Sequence, residues 1–504
     1  MKACLLGGTT AIVVGFLATT SQSLWIDEAN SAIKAMAPTL AAFVESMKSD
    51  RGSDLQMPLY MYMLWGWEKV AGHSEFALRA MNIPLFGLAI AVSAGGWRTT
   101  VTRRIFFVAL ACSSAFLWAY IDETRPYILQ FLGATICAIS LANTASSATP
   151  PQNRDIALFA FGLVVLCGSS LMGVVSAFWL SLAFLLISLQ RQRLGSLLRR
   201  PAVRTAALLA MPALVLLGIY YVWTLTVGAR ASSVGQTGPL SLGFAAYELL
   251  GMAGLGPGRG ELRSSWQAIL PFTPMLAVFG IALGLLLCIG GITIAQRKGP
   301  FTANPSLSIL IAAPVAIALS SMLIGVFGHF RVVGRHLTPL APFLILIMAV
   351  GADSLWHARH RFSGRAIVCL ALLSMLSSAL LHRMDERHAK DDYRSAASRA
   401  HETLTQGGTV WWAADRSGAQ YYHLETCLLP ESNVSFEEQP SAYMANSRSA
   451  DYLAQLPKPS LVVLSKVDVY DSDGHLRKWL DYNGFASTSY ASGFEFYRYL
   501  NVIP

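Results

Sequence analysis

Residues 3–20 read ACLLGGTTAIVVGFLATT, and Ser23-Leu24-Trp25-Ile26-Asp27-Glu28-Ala29 follows shortly after. A helix that crosses a bilayer needs roughly 20 mainly apolar residues, so the first run predicts a membrane span. Asp27 and Glu28 would then lie at the mouth of this span, where carboxylates close to hydrocarbon are costly and usually functional. The run also fits a signal peptide, but it contains no clear small-x-small cleavage site, and we interpret it as a retained first span.

The composition places the chain among membrane proteins. Of its 504 residues, 54% are hydrophobic and only 13% are charged, and the mean hydropathy is +0.47. Soluble proteins carry about 25% charged residues. The net charge of +9 comes from short loops between apolar runs, which argues against a nucleic-acid partner. Six of the seven cysteines lie inside apolar runs, so neither a disulfide framework nor a metal-ligand spacing is visible.

The apolar segments predict a polytopic α-helical membrane protein with about eleven transmembrane helices. Several segments are short, and the pair over 156–190 is divided at Gly173 by judgement, so the count is uncertain by one. The predicted spans are 3–20, 81–97, 105–120, 127–145, 156–172, 173–190, 205–227, 269–293, 307–327, 337–352 and 366–381.

The distribution of arginine and lysine predicts the orientation. With the N-terminus in the cytoplasm, the inner loops hold most of the basic residues, including five arginines over 191–204 and the pair Arg297 and Lys298. Asp155 and Asp353 are almost the only acidic residues of these inner loops. An odd number of spans then places the chain after about residue 382 outside the cytoplasm, on the same face as Asp27 and Glu28.

Two further charged clusters fall on this outer face. Asp122-Glu123-Thr124-Arg125 follows one span, and Arg331 with Arg335-His336 precedes another. Guanidinium groups stay charged and grip phosphate with two donors, which makes Arg125, Arg331 and Arg335 candidate phosphate partners. Residues 331 and 335 would share one face of a helix. The alternatives are interfacial anchoring for these two arginines and a salt bridge to Arg125 for Glu123.

Two outer loops are too long for simple connectors. The first, 21–80, contains an amphipathic helical pattern over 38–47 and an aromatic segment over 58–70 that includes Tyr60. The second, 228–268, carries Tyr247 and Arg259 and is rich in glycine over 251–260. We expect the first loop to frame a pocket or to form a packed lid, and the second to be a flexible substrate gate or a plain connector.

Residues 382–504 have the composition of a small soluble α/β domain, whereas residues 1–381 form the transmembrane domain. Helical patterns cover 391–404 and 475–482. Strand patterns cover 409–413, 460–465, 485–490 and 494–500, and this alternation is typical of an α/β fold.

Several motifs together resemble the GT-C class of membrane glycosyltransferases, in the group of protein O-mannosyltransferases, aminoarabinose transferases and lipopolysaccharide-core sugar transferases. Nearly the whole chain takes part, in the same order. The motifs are Leu24-Trp25-Ile26-Asp27-Glu28-Ala29, Pro58-Leu59-Tyr60, Ser74-Glu75-Phe76-Ala77-Leu78-Arg79, the run from Tyr120 to Tyr127, Gly334-Arg335-His336-Leu337-Thr338-Pro339-Leu340, and Asp391-Asp392-Tyr393-Arg394-Ser395-Ala396-Ala397.

The resemblance implies an inverting transferase that takes a sugar from a polyprenyl-phosphate carrier at the outer face. Asp27 matches the general base of the family, with Glu28 and Glu123 as further catalytic candidates. The acceptor would be an envelope glycan, a lipid or a protein. The donor-phosphate candidates are Arg125, Tyr127, Arg331 and Arg335, and the substrate-loop candidates are Tyr60, Tyr247, Arg259 and His336.

The sequence leaves open whether a cofactor is needed and to which functional class the protein belongs. Asp27, Glu28, Glu123 and His336 provide ligands for a divalent metal, but no spacing demands one, so we expect no metal or other cofactor to be required. A transporter or flippase of lipid-linked sugars is the alternative function, and a non-catalytic envelope scaffold is another. We expect a bacterial inner (plasma) membrane protein that contacts membrane lipid and has its C-terminal domain in the periplasm or outside the cell.

Overall fold

The computed structural model describes residues 2–228, 237–296, 305–428, 442–446 and 448–499. Part of the second outer loop and the inner-loop residues Arg297 and Lys298 therefore lie outside the described residues. The chain divides into two compact units. The helical unit comprises Met1–Thr20, Val44–Gly72 and Ala77–His388, and the C-terminal unit comprises Ser21–Phe43, His73–Phe76 and Ala389–Pro504.

The described elements are mostly α-helices. They are α1 (Lys2–Ala18), α2 (Ile26–Ala35), α3 (Leu40–Asp50), α4 (Pro58–Ala71), α5 (Glu75–Ala80), α6 (Asn82–Gly96), α7 (Val101–Cys112), α8 (Ala115–Ile121), α9 (Tyr127–Ser146), α10 (Asn153–Ser169), α11 (Leu171–Leu189), α12 (Leu194–Arg199), α13 (Pro201–Val227), α14 (Pro239–Leu249), α15 (Arg259–Ser264), α16 (Thr273–Ala295), α17 (Pro305–Phe327), α18 (Ala341–Trp356), α19 (Arg361–Met384), α20 (Tyr393–Thr405), α21 (Arg416–Tyr421), α22 (Ala450–Gln455), α23 (Val467–Tyr470) and α24 (His475–Tyr482). Short 3₁₀ helices cover Ser53–Gln56, Ala253–Leu255, Trp266–Phe272, Gly334–Leu340 and Glu386–His388.

All eleven predicted spans are helical. Within the described part of the chain, eight helical segments are long and apolar enough to cross a membrane, and a ninth is formed if α7 and α8, which meet at a 58° bend, act as one span. The remaining two predicted spans correspond to α1 and α10, which have 17 residues each. By length and composition alone the count is therefore eight or nine, lower than the predicted eleven, because these two helices are short of the usual spanning length.

The helical unit has the surface of a protein that is solvated by lipid. The apolar segment of α9 is completely buried inside the protein, whereas only 6% of the corresponding apolar segment of α13 is buried. α13 exposes large apolar side chains, among them Leu208, Leu216 and Ile219. So large an apolar surface is not stable in water but is natural in a bilayer. The protein is a multi-pass membrane protein.

Small residues allow the spans to pack closely. A Cβ atom on Gly290 of α16 would lie 2.0 Å from the carbonyl oxygen of Ile347 in α18, and one on Gly351 of α18 would lie 2.0 Å from that of Leu286. Both positions therefore require glycine, as is usual where transmembrane helices touch through their backbones.

The two carboxylates that the sequence assigns to the inner loops are each held by an arginine. Arg98 contacts Asp155 at 2.7 Å, and Arg103 contacts Asp353 at 2.8 Å. Since Arg98 and Arg103 flank the short connection between α6 and α7, both ion pairs lie at the same end of the helical unit. The negative charge of each of these two carboxylates is thus compensated by an arginine beside it.

The C-terminal unit contains a six-stranded sheet of order β2-β3-β1-β4-β6-β5, in which β1 to β4 pair in parallel and β6 is antiparallel to β4 and β5. Trp411 and Trp412 are fully buried on opposite faces of β1, so each face of the sheet has its own core. The predicted α/β domain is confirmed, including the helix over 475–482. The strands are β1 (Val410–Ala413), β2 (Thr426–Cys427), β3 (Ala442–Met444), β4 (Leu461–Ser465), β5 (Phe485–Ala491) and β6 (Phe494–Tyr499).

Candidate functional site

The acidic pair of the first loop lies in the first turn of α2, within the C-terminal unit. Two carboxylates in a first helical turn interact favourably with the positive end of the helix dipole. Glu28 is fully buried, and its Oε2 accepts from Lys390 Nζ at 3.1 Å. Asp27 is only partly buried. Of the two acids, Asp27 is the one that keeps solvent-accessible surface.

α2 is anchored to the sheet of the C-terminal unit through the residue before the pair. Ile26 packs against both hydrophobic cores of that unit. The backbone N–H of Leu24 donates to the hydroxyl of Tyr422 at 2.8 Å. This stretch of the first loop therefore folds as part of the C-terminal domain, a grouping that its position between two apolar runs does not reveal.

Asp415, the N-cap of α21, is a further carboxyl group near Asp27. Its Oδ1 accepts from the N–H groups of Ser417 and Gly418. Burial raises the pKa of the Asp415 carboxyl above its ordinary value, and the negative charge of Asp27 adds to this shift. Two acidic groups thus interact electrostatically at one end of α2.

Glu123 belongs to the helical unit, where it is almost completely buried. Its backbone carbonyl accepts from Asn82 Nδ2 at 2.6 Å. The neighbouring Asp122 has a structural role, since it accepts from the N–H of Thr20 at 2.6 Å and lies 3.8 Å from Arg79. Asp122 and Arg79 therefore fix the chain at the end of the first span.

Arg125 is held inside the helical unit by the first loop. Its Nη1 donates to Asp54 Oδ1 at 2.8 Å and its Nη2 to Ser53 Oγ at 3.1 Å. The side chains of Arg125 and Asp54 are only 7% and 1% exposed, which makes this a buried ion pair. The role of Arg125 at a donor phosphate remains a prediction, and the contact with Asp54 gives this arginine a structural role as well.

Arg259 lies at the centre of a charged cluster in the helical unit. Burial lowers the pKa of its guanidinium, but the charges of Glu123, Tyr120 and Glu248 outweigh this effect, so that the pKa lies above its ordinary value. The positive charge of Arg335 also acts on Arg259. The residue is nevertheless exposed by accessible surface.

Glu248 connects two parts of this cluster and was not among the predicted site residues. Its Oε2 accepts from the N–H of Gly334 at 2.5 Å, and a Cβ atom at Gly334 would lie only 2.5 Å from the same oxygen. α14 is thereby joined to the 3₁₀ helix that carries Arg335. No pattern in the sequence pairs residue 248 with residue 334, because this contact depends on tertiary structure.

The expectation that Arg331 and Arg335 share a helical face is wrong. α17 ends at Phe327, His329 has a positive φ of 53°, and the next helix is a 3₁₀ helix over Gly334–Leu340. Arg331 lies in the extended segment between them, with its guanidinium carbon 5.8 Å from the ring centroid of Phe244. The break in the helix, which the spacing alone does not reveal, separates the environments of the two arginines.

The other predicted residues have clear local contacts. His336 Nδ1 accepts from the N–H of Val333 at 3.1 Å and so caps its own 3₁₀ helix. Tyr127 packs edge-on against Tyr120, with ring centroids 4.6 Å apart. Tyr60 is fully buried in α4. Tyr247 is buried as well, and its hydroxyl donates to Ala253 at 3.4 Å.

The glycines of the second outer loop allow close packing. A Cβ atom on Gly254 would lie 1.8 Å from the carbonyl oxygen of Ser378 in α19, and one on Gly256 would lie 1.9 Å from the hydroxyl of Tyr247. The Ser378 hydroxyl also donates to Gly251 at 2.6 Å. The described part of this loop therefore docks on α19 through its backbone. Whether the loop gates a substrate stays a prediction.

Among the residues that the structure describes, no group of three or more His, Cys, Asp or Glu side chains is arranged to hold a metal ion. The expectation that no metal is required is not tested by this observation. The predicted site residues fall into two groups. Asp27 and Glu28 lie with Lys390 in the C-terminal unit, and Glu123, Arg259 and Arg335 lie with Glu248 in the helical unit.

The sequence matches no model of a known protein family and no curated protein. The structure is similar to crystal structures of ArnT from Cupriavidus metallidurans, both at 12% sequence identity. For the form bound to undecaprenyl phosphate the TM-score is 0.54, and the match covers 99% of this chain and 98% of that chain. For the apo form the TM-score is 0.52, with 98% and 97% covered.

The cryo-EM structure of the arabinofuranosyltransferase AftD from Mycobacteria is a more distant neighbour. Its TM-score is 0.42 at 12% identity, and the match covers 99% of this chain but 40% of that one. The similarity to ArnT extends over practically the whole length of both proteins, including spans and C-terminal domain. The chain therefore has the ArnT-like polytopic membrane fold of the GT-C glycosyltransferases.

Proposed function

We propose that this protein is an inverting glycosyltransferase that moves a sugar from a polyprenyl-phosphate carrier to an envelope glycan, lipid or protein. The reaction takes place at the outer face of a bacterial inner membrane, with the N-terminus in the cytoplasm and the C-terminal unit on the opposite side. The observation that carries the proposal is Arg259, an exposed residue whose charge interacts with those of Arg335, Glu123 and Glu248. An exposed arginine is a suitable partner for a phosphate.

The fold supports the same donor class. ArnT, which has this fold over its full length, has been crystallised with undecaprenyl phosphate. By analogy, the phosphate of the donor in this protein contacts Arg259 and Arg335. Their charge stabilises the carrier phosphate as it departs, which is the main electrostatic requirement of the reaction.

The acceptor side of the reaction needs a base. In the proposed step, Asp27 takes the proton of an acceptor hydroxyl while the oxygen attacks the anomeric carbon. The bond from that carbon to the phosphate oxygen breaks, its electron pair stays on the polyprenyl phosphate, and the configuration inverts. The partly accessible Asp27 suits this role better than Glu28, whose carboxylate is buried against Lys390.

The test uses the purified full-length protein in lipid nanodiscs with polyprenyl-phosphate sugars, and it scores donor binding and release of sugar from the carrier separately. Asp27→Asn should lower turnover by about 10²–10⁴ while donor binding stays intact. Arg335→Ala should weaken donor binding as well as turnover, because a phosphate partner already acts in the ground state.

Arg263→Ala is the matched control, since Arg263 lies in the same helix as Arg259 and is exposed. It should leave binding and turnover near wild type. Wild-type turnover in Asp27→Asn would show that Asp27 is not the base. If wild-type protein in liposomes moves the lipid-linked sugar across the bilayer without releasing it from the carrier, the protein is a flippase and the proposal is wrong.

A further inference from the structure

Each of the five consecutive residues 390–394 makes a polar contact inside the C-terminal unit. Asp392 caps its own helix, α20, whereas the other four reach different segments of the unit, and Lys390 reaches α2. The partners are Glu28 for Lys390 (3.1 Å), Lys466 for Asp391 (2.5 Å), Ser395 for Asp392 (2.6 Å), the backbone N–H of Asp415 for the Tyr393 hydroxyl (3.3 Å), and Glu75 for Arg394 (2.6 Å).

The contact of Lys390 with Glu28 differs from the others in its burial. The side chains are 8% and 0% exposed, whereas that of Arg394 is 50% exposed. A carboxylate that is removed from water destabilises the fold unless a charged partner compensates it. The negative charge of Glu28 is therefore kept in the folded unit by Lys390.

This pairing also decides which acid of the pair is available. Successive residues of a helix point about 100° apart, so a Glu28 that is directed into the unit leaves Asp27 on a different side of the first turn. Asp27 keeps accessible surface there. Glu28 is thus engaged by Lys390, and Asp27 is the acid of this first turn that keeps accessible surface.

We propose that Lys390 is a positioning residue for the reaction: by pairing with the buried Glu28 it fixes the first turn of α2 and leaves Asp27 as the acceptor base. This inference rests on the proposed glycosyl transfer and assigns the C-terminal domain a part in it. Glu28 then has a structural task and exchanges no proton with the acceptor.

The experiment is a double-mutant cycle on turnover, KM and donor binding. Lys390→Met keeps the approximate length of the side chain but removes the positive charge beside the buried Glu28. We expect kcat to fall by about 10²-fold, as for a catalytic group displaced by about 1 Å, while donor binding stays unchanged. Lys390→Arg should keep most of the activity, because it retains the charge.

The double variant Lys390→Met with Glu28→Gln separates positioning from chemistry. It removes both charges, so it should recover most of the kcat that Lys390→Met loses. Arg477→Met with Glu495→Gln, a more exposed pair of the same unit at 3.0 Å, is the control and should leave kcat unchanged. Donor binding by every variant reports that the helical unit is folded, and thermal unfolding reports on the C-terminal unit.

Two results would overturn the inference while wild type still transfers sugar. One is wild-type kcat in Lys390→Met, and the other is a double variant as inactive as Lys390→Met, which would make Glu28 itself a reacting group. Absence of transfer by the wild-type protein is a different outcome, because it refutes the proposed function, and the inference then falls with it.

Discussion

Replacing Arg125 by methionine should destabilise the helical unit. The reason is the ion pair with Asp54, whose side chains are 7% and 1% exposed and whose atoms are 2.8 Å apart. Removing one partner of a buried pair leaves the other charge uncompensated, at a cost of about 3–5 kcal/mol. At about 2–4 °C for each kcal/mol, the apparent midpoint of thermal unfolding should fall by at least about 6 °C.

The assay follows thermal unfolding in detergent at a fixed scan rate, together with binding of a polyprenyl phosphate below the transition. Arg125→Met with Asp54→Asn should be more stable than Arg125→Met alone, because the buried negative charge is then removed together with its arginine. Lys69→Met is the control, since the Lys69–Glu68 pair is partly exposed at 33% and 10% and should contribute about 1 kcal/mol or less. The reasoning would be refuted if Arg125→Met unfolded at the wild-type temperature, and carrier binding by the folded variant separately tests the predicted contact of Arg125 with the donor phosphate.

Three further predictions concern topology, the second outer loop and pH. A reporter that works only in the cytoplasm should be silent when fused after Pro504, and an active fusion would reverse the proposed orientation. Gly254→Ala should lower the unfolding temperature, because the added Cβ atom would meet the carbonyl oxygen of Ser378. Gly260→Ala is the control and should leave the unfolding temperature unchanged, because a Cβ atom at that position lies in open space. Equal effects of the two substitutions would contradict the docking of this loop. Burial lowers the pKa of His388, and the positive charge of Arg387 adds to this shift. The imidazole of His388 therefore binds a proton more readily in the unfolded chain than in the folded protein. Stability should therefore fall as pH drops below about 6.5, and His388→Gln should reduce this dependence in unfolding scans at pH 7.5 and 5.5; a wild-type slope in the variant would exclude His388.

The elements of this protein could largely be predicted from the sequence. Apolar runs of spanning length are local, and every predicted span is helical in the structure, although the span over 105–120 is divided between α7 and α8. The helix over 475–482 and the strands around Trp411, Val462 and Phe496 also follow from local pattern, because side-chain periodicity depends only on neighbours along the chain. Motif order indicated the GT-C fold for the same reason: each motif is a short, contiguous stretch.

Contacts between distant residues could not be predicted in this way. The sequence places Asp27 and Glu28 together, but their different environments arise from Lys390, more than 350 residues away. Arg125 was predicted as a phosphate partner, and the structure gives it Asp54 as a buried counter-ion. Which charge a carboxylate or guanidinium meets is decided by tertiary packing.

The sequence by itself determined the membrane class, the approximate spans and the α/β character of the C-terminal domain. Only the tertiary structure decided that α2 folds with residues 389–504 and that Glu248 and Arg335 lie near Arg259. The physical reason is the range of the interactions. Hydrophobic periodicity acts over a few neighbouring residues, whereas the pairing of buried charges depends on which segments the fold brings within a few ångströms of each other.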